Sequence, residues 1–240
     1  MTWLFCAGMI RSGSTLQFQL ASAIVEQAAL GTRIPYAPES DFPYVREHHS
    51  LTQGIKVFKA HVYTPDLANE CNKYGAKVIY SYRDLRDVAV SAMRKFGMSF
   101  SELMDAKWLD QALVDYYHWT KCPSVSVSRY EDVVGDITGE AEKINRFLGA
   151  PLAFHDICCL SKEYGIDRQQ VKINRLKELH GRSIMPKEIV FDPIELMHHN
   201  HIHQGEVGGW RTLLSDSEKS LLTNKFSGWL EENGYDTRLW

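Results

Sequence analysis

The chain predicts an α/β fold, a central parallel sheet with helices on both faces. Three observations carry that expectation. Short apolar runs alternate with longer stretches of helical periodicity along most of the sequence, and such alternation is met by parallel strands joined through helical crossovers. Two of the runs, residues 2–7 and 77–82, pass directly into polar turns that open amphipathic helices. Nothing inside the 240 residues reads as a linker, so one domain, residues 1–240, is expected to build one substantial core.

Residues 2–7 read as a buried strand, and Leu16, Leu20, Ala23, Ile24 and Ala28 share one face of the helix that follows Thr15. The turn between them, Gly8-Met9-Ile10-Arg11-Ser12-Gly13-Ser14-Thr15, combines unpaired backbone N–H groups with the positive end of a helix dipole. That is a seat for phosphate. Gly8 and Gly13 stand at the spacing of the nucleotide loop G-x-x-x-x-G-K-S/T, but Ser14 stands where that motif needs lysine. An ATPase is therefore disfavoured. A phosphate held here would meet the Arg11 fork and the hydroxyls of Ser12, Ser14 and Thr15, which suits a terminal 5′-phosphate. A plain serine-capped helix is the simpler alternative, and it uses fewer of these residues.

Residues 31–54 carry Pro35, Pro38 and Pro43 with His48-His49, which excludes a long regular element and suggests a lid or binding loop. Residues 55–61 form the next strand candidate, with Lys59 and His61 on the same side by alternation. At the carboxyl end of a strand this pair would face the ligand crevice of an open α/β sheet. The cation would also hold the imidazole neutral, as a general base requires. A short helix is expected at residues 65–74 and a strand at 77–82. Leu85, Val88, Ala89, Ala92, Met93 and Phe96 then keep helical spacing. Arg83 would close that strand at the crevice, with Ser91 two turns along the helix on its side, a guanidinium and a hydroxyl for a second phosphate. Ion pairs of Arg83 with Asp84 and Asp87 are the plainer reading.

One long helix is expected at residues 101–121, a strand at 124–130 and a helix at 138–148 that stops at Gly149 and Pro151. Residues 151–195 are weakly periodic, with helix expected only around 167–179. Further on, His199, His201 and His203 alternate, but the aspartate of a binuclear metal motif is missing and no metal is expected. Gly205, Gly208 and Gly209 instead suggest a loop that closes on a ligand, with Trp210 as anchor and Arg211 or His203 as donor. Ser215-Asp216-Ser217-Glu218 is a capping box for a final helix whose buried stripe is Leu221, Leu222, Phe226, Trp229 and Leu230.

The whole chain sets the remaining limits. A formal charge of −3 gives no general attraction to nucleic acid, so any anion site must be made locally. No apolar run is long enough to span a bilayer, and no leader pattern opens the chain, so a cytoplasmic location is expected. Five cysteines without C-x-x-C spacing read as reduced thiols.

Taken together these residues resemble the PAPS-dependent sulfotransferases, which use 3′-phosphoadenosine 5′-phosphosulfate (PAPS) as donor and release PAP. Ile10-Arg11-Ser12-Gly13-Ser14-Thr15-Leu16 matches the family's P-K-S-G-T-T-W with arginine for lysine, Lys59-Ala60-His61 matches K-T-H, Arg83 and Ser91 match R-x(7)-S, and Tyr130-Glu131-Asp132 matches Y-E-D. The resemblance implies a three-layer sandwich of the P-loop nucleotide-kinase type. It also implies His61 as catalytic base, with Lys59 and Arg11 as transition-state cations. Arg11, Ser12, Gly13, Ser14, Thr15 and Leu16 would hold the 5′-phosphosulfate end, Arg83 and Ser91 the 3′-phosphate, and Tyr130 would lie near the adenine. Leu16 replaces a tryptophan that stacks on adenine in many members. In the C-terminal R-K-G-x-x-G-D-W loop, Gly205, Gly208 and Trp210 fit, while His203-Gln204 replace Arg-Lys and Gly209 replaces Asp. His203, Gln204 and Gly205 are the cofactor-binding candidates of this loop, and the departures imply a 3′-phosphate clamp that is either weaker or rebuilt around His203 or Arg211.

The implied reaction is in-line sulfuryl transfer, without metal, to a hydroxyl or amine of a small-molecule acceptor, including a polar natural product of the guanidinium-alkaloid type. His48, His49, Tyr63, Trp108, Tyr117 and His118 are the candidate acceptor residues, with Glu39, Asp41 and Glu47 available for a cationic group. The competing readings are a P-loop kinase using ATP and Mg²⁺, a non-catalytic nucleotide-binding protein of the same fold, and a metallohydrolase on the histidine cluster. The family's dimer signature is not recognisable around residues 211–218, so no oligomeric state is expected.

Overall fold

A computed structural model describes residues 1–181, 191–198 and 206–238. At its centre lies β1 (Thr2–Gly8), buried from Trp3 onward. It pairs in parallel with β3 (Ile55–Lys59) on one side and β4 (Lys77–Tyr82) on the other; β2 (Gly31–Arg33) and β5 (Val125–Arg129) form the edges. The order is β2-β3-β1-β4-β5, all parallel.

Because β1 is covered on both faces, alternation splits its apolar run between two cores. Trp3, Phe5 and Ala7 pack with Phe58 and Tyr80 under α4 (Leu85–Phe96), α6 (Trp108–Trp119) and α12 (Asp216–Glu232). Leu4 and Cys6 pack with Val57 and Ile79 under α1 (Ser14–Gln27), α8 (Ile137–Leu148) and α9 (Phe154–Glu163). Helices on both faces of a parallel sheet give the expected three layers. The capping box expected before the last helix is present, with the Ser215 hydroxyl accepting from the Glu218 N–H and the Glu218 carboxylate from the Ser215 N–H.

Four local expectations are corrected. The proline-bearing stretch holds three short elements, the edge strand β2, a 3₁₀ turn (Glu39–Asp41) and α2 (Phe42–His48), in whose first turn Pro43 loses no helical hydrogen bond. The helix expected at residues 101–121 is two, α5 (Phe100–Asp105) and α6, because Lys107 takes a left-handed φ of 54° between them. An extra helix, α7 (Tyr130–Gly135), follows β5 immediately. In the weakly periodic region α9 forms, and the helix expected at residues 167–179 is α10 (Ile166–Gly181).

Candidate active site

The carboxyl ends of β1, β3 and β4 meet at one edge of the sheet, where neighbouring strands lead away in opposite directions, the usual place for a ligand crevice. Backbone bonds prolong the pairing there: Met9 N–H donates to Ser81 O at 2.9 Å and Ala60 N–H to Cys6 O at 3.1 Å. The turn after β1 then coils tightly, with Arg11 at φ 65° and Gly13 at φ 78°. Gly8 leaves no room for a side chain, since a Cβ would lie 2.4 Å from Ser81 Oγ and 2.7 Å from Ser14 Cβ. Gly8→Ala is therefore expected to cost about 1–3 kcal/mol of stability by overpacking; a urea midpoint equal to wild type would show that the turn is looser than described.

Gly13 is the N-cap of α1, contributing no side-chain cap, and no acidic residue stands in the first turn. The positive end of α1 therefore opens on the crevice without a carboxylate to answer it. Tyr130 lies flat enough on this turn that a Cβ on Gly13 would meet its Cδ2 at 2.8 Å. Thr15 and Leu16 are half-buried, Leu16 against the α1–α8 core rather than out over the turn. Ser12 corrects an expectation. Its hydroxyl is buried and turned inward, within 2.7 Å of Met9 O and 2.9 Å of both Ser81 O and Ser81 Oγ. It pins the turn to β4.

Two guanidinium groups converge beside the turn. Arg11 Nε donates to Ser91 Oγ at 3.0 Å, so the hydroxyl expected beside Arg83 bonds to Arg11. Arg83 stacks over the Tyr130 ring at 4.2 Å, donates to Arg11 O at 3.3 Å and to Glu206 O, and pairs with Asp87 at 3.5 Å. Its Nε is buried with no hydrogen-bond partner among the described residues. Burial, and then the nearby Arg83 charge, lower the Arg11 pKa. Lys95, one turn beyond Ser91, is likewise pushed down to about 8 by burial and by Arg11. Three cations are thus crowded on one side of the turn, with the Asp87 carboxylate against Arg83.

Asp87 was read only as an ion-pair partner, and it does more. Its carboxylate accepts from Gly208 N–H at 2.7 Å and from Trp210 N–H at 3.0 Å, which ties the C-terminal glycine segment to β4 and α4. Trp210 is buried as the expected anchor, with Arg86 over its ring at 3.8 Å and Arg211 at 4.6 Å. His203, Gln204 and Gly205 lie outside the described residues, as do His199 and His201.

On the other side of Gly8, Lys59 Nζ lies 3.1 Å from His61 Nε2, as the alternation predicts. His61 Nδ1 lies 2.8 Å from Gly8 O. A carbonyl only accepts, so Nδ1 carries the proton and Nε2 the lone pair. Desolvation and then the Lys59 ammonium push the His61 pKa down, while burial takes Lys59 down to about 8. His61 keeps an open face to solvent, which moderates the desolvation. The direction is clear, and the ring is neutral at pH 7. Glu39 accepts from the backbone N–H groups of His61 and Val62, Asp115 from that of Tyr63 at 2.8 Å, and Trp119 Nε1 donates to His61 O at 3.1 Å.

The acceptor candidates divide. Tyr63 stacks on His118 at 5.2 Å and stands edge-on to Trp119 at 4.9 Å, whose Nε1 donates to His61 O. His48 and His49 do not reach the crevice: His49 stands edge-on to Trp3 at 6.5 Å and His48 against His49, at the amino end of β1. Trp108 packs on Phe96 at 4.8 Å, and the Tyr117 hydroxyl lies 3.4 Å from the Glu232 carboxylate on α12. No contact with His61 is seen for either among the described residues. Among the described residues no cluster of histidine, cysteine or acidic side chains could hold a metal, and no helix is long and apolar enough to cross a membrane.

Comparison with known proteins identifies the family and the fold. The family described as "Sulfotransferase domain" matches residues 2–234. A retinol dehydratase in complex with androsterone and inactive cofactor PAP is similar in fold, with 20% identity, 98% of this chain and 82% of that chain covered, and a TM-score of 0.59. The same holds for a retinol dehydratase in a complex with retinol and PAP, at 19% identity, 98% and 82% coverage and a TM-score of 0.62. Mouse sulfotransferase SULT7A1 complexed with PAP matches at 15% identity over 96% of this chain and 85% of that chain, with a TM-score of 0.65. No curated protein matches the chain.

Proposed function

The chain belongs to the sulfotransferase domain family, and from that premise we propose that it moves a sulfuryl group from PAPS to a hydroxyl or amine of a small-molecule acceptor. The observation that carries the proposal is the Lys59–His61 pair, whose nitrogens lie 3.1 Å apart beside a phosphate-type turn. A nucleotide-binding protein without catalysis has no use for a neutral imidazole held next to an ammonium at that point.

The residues fit the donor. The positive end of α1, the crowding of Arg11 with Arg83 and Lys95, and the Arg83 Nε, which has no hydrogen-bond partner among the described residues, all call for an anion. The backbone of Gly13, Ser14 and Thr15 with Arg11 would hold the 5′ end, Arg83 and Ser91 the 3′-phosphate, and Tyr130 would lie near the adenine. The relatives of known structure were solved with PAP, which supports the same reading. When bound, PAPS supplies an activated sulfuryl group on a good leaving group.

The chain's own groups then divide the work. His61 Nε2 takes the acceptor's proton, and its tautomer is fixed by the bond from Nδ1 to Gly8 O. Lys59 must first turn away from Nε2, and its ammonium is then free to answer negative charge. Arg11 adds a second cation. Such catalysis is positioning plus electrostatic stabilisation, with no covalent enzyme intermediate.

Tyr63 and His118 are the acceptor wall we favour, with Val62 exposed beside them. An alkaloid-like cation has less support than the sequence suggested, because Glu39 is engaged by the backbone of His61 and Val62. We take residues 1–240 as one sulfotransferase domain, and five free cysteines support a cytoplasmic location.

A screen of alcohols, phenols and amines with ³⁵S-labelled PAPS tests the proposal. Labelled product with a mass gain of one sulfonate, unaffected by EDTA, is expected. ATP-dependent, EDTA-sensitive transfer would establish the kinase reading instead, and PAP binding without transfer to any acceptor would establish the non-catalytic one.

A further inference from the structure

We propose that Glu39 is a positioning residue for the reaction, a carboxylate that reaches in from the loop after β2 to fix the backbone of the general base. The inference rests on His61 being that base. Glu39 lies in a one-turn 3₁₀ segment (Glu39–Asp41), and its Oε1 accepts from two successive backbone donors, His61 N–H and Val62 N–H at 3.2 Å. β3 ends at Lys59, so the chain from His61 onward has no neighbouring strand to hold it. A base carried on an unpaired segment must be held by other means.

The structure supplies those means from two directions. From α6, Asp115 Oδ1 accepts from Tyr63 N–H and Trp119 Nε1 donates to His61 O. From the loop after β2, Glu39 takes the two N–H groups that α6 does not bond. Asp115 is buried and further held by Gln111 at 3.1 Å, so its half of the clamp is part of the core. Glu39 is half-exposed on a loop, so its half is the one that the proline-bearing segment controls.

A carboxylate suits this place for a second reason. It faces both Lys59 and His61 electrostatically and favours the charged form of each. Against the cost of burial, it therefore helps keep the Lys59 ammonium that would answer charge on the reacting group. Glu39 touches no reacting atom. It acts through His61 and Lys59, and its bonds to the His61 and Val62 N–H groups are what fit it to that task.

The test compares Glu39→Ala and Glu39→Gln, since the amide of glutamine keeps an oxygen for both N–H groups. With the fastest acceptor from the ³⁵S-PAPS screen, Glu39→Ala is expected to lose about tenfold or more in kcat, with Glu39→Gln recovering most of it, because misplacing a catalytic group costs rate before it costs binding. PAP affinity by calorimetry is expected to stay within about twofold of wild type in both, because neither touches the phosphate turn. Independently of any acceptor, ¹⁵N ring spectra should show the His61 Nδ1–H tautomer in wild type and Glu39→Gln and a mixture in Glu39→Ala, with His61→Ala assigning the signal.

Wild-type kcat and an unchanged tautomer in Glu39→Ala would overturn the proposal, as would glutamine failing as fully as alanine while thermal midpoints stay equal. If His61→Ala itself turns over normally, the base assignment fails instead, and the two failures are distinguishable.

Discussion

His61→Ala is expected to lower kcat by about two orders of magnitude or more, the usual contribution of a positioned general base. PAP affinity should be kept. The two expectations separate because His61 stands across Gly8 from the phosphate turn: its ring meets Gly8 O and Lys59 Nζ, while Arg11, Arg83, Ser91 and Tyr130 group on the other side. The wild-type pH profile of kcat/KM should carry the same information. Lowering the His61 pKa keeps Nε2 unprotonated below the ordinary histidine value of 6.5, so the acid limb lies on the low side of that value. Lys59, taken down to about 8, loses its charge above that pH, and the alkaline limb falls there. Base and cation are thus both in their working forms between the two limbs. Lys59→Met should remove the alkaline limb along with most of the rate. Near-normal turnover by His61→Ala, or an acid limb above 6.5, would remove His61 from the base role.

The sequence is most legible where a residue's role depends on its near neighbours in the chain. The β1 strand, the coiled turn after it, and the Lys59–His61 pairing all follow from spacing within a few residues, because strand alternation and positive-φ glycine act locally. β2 is a three-residue strand that exists only because β3 lies beside it, so close that a Cβ on Gly31 would sit 1.9 Å from Ile55 O. Nothing local announces it. The left-handed Lys107 breaks a helix whose apolar positions run on almost in phase across the break, and periodicity does not register a two-residue interruption.

At the site the same distinction holds. Whether the Ser12 hydroxyl points to a ligand or into the protein is decided by Ser81, 69 residues away. Asp87 finds Gly208 and Trp210 more than 120 residues on, so its part in holding the glycine segment has no local signature. His48 and His49 looked like pocket residues because their loop is rich in proline and aromatic groups. Phe42 decides otherwise: its ring packs 5.0 Å from Trp3, 5.4 Å from Phe5 and 5.3 Å from Phe58 and draws α2 toward the amino end of the sheet. Lys95 was open to discovery, since it follows Ser91 by four residues and so shares its helix face.

Arg83→Ala is expected to weaken PAP binding by about tenfold to a hundredfold, the range for losing a charge-assisted hydrogen bond in a buried site. Arg83 is also structural, since it stacks on Tyr130, pairs with Asp87 and donates to Arg11 O and Glu206 O. A weaker site alone would therefore not assign it to the 3′-phosphate. Comparing PAP with 5′-AMP, which lacks that phosphate, makes the distinction. If Arg83 meets the 3′-phosphate, alanine should erase most of the preference for PAP over AMP and leave AMP affinity nearly unchanged, a coupling read by the double difference. If it only supports Tyr130 and the turn, both ligands should weaken equally. Arg83→Lys should recover part of the loss through its charge but not the geometry of the fork. Calorimetry with the two nucleotides at fixed salt decides the matter, because phosphate contacts are screened as ionic strength rises. Equal losses for PAP and AMP, or none for either, would take Arg83 out of the 3′-phosphate site and leave Arg11, Ser91 and Lys95 as the groups to examine.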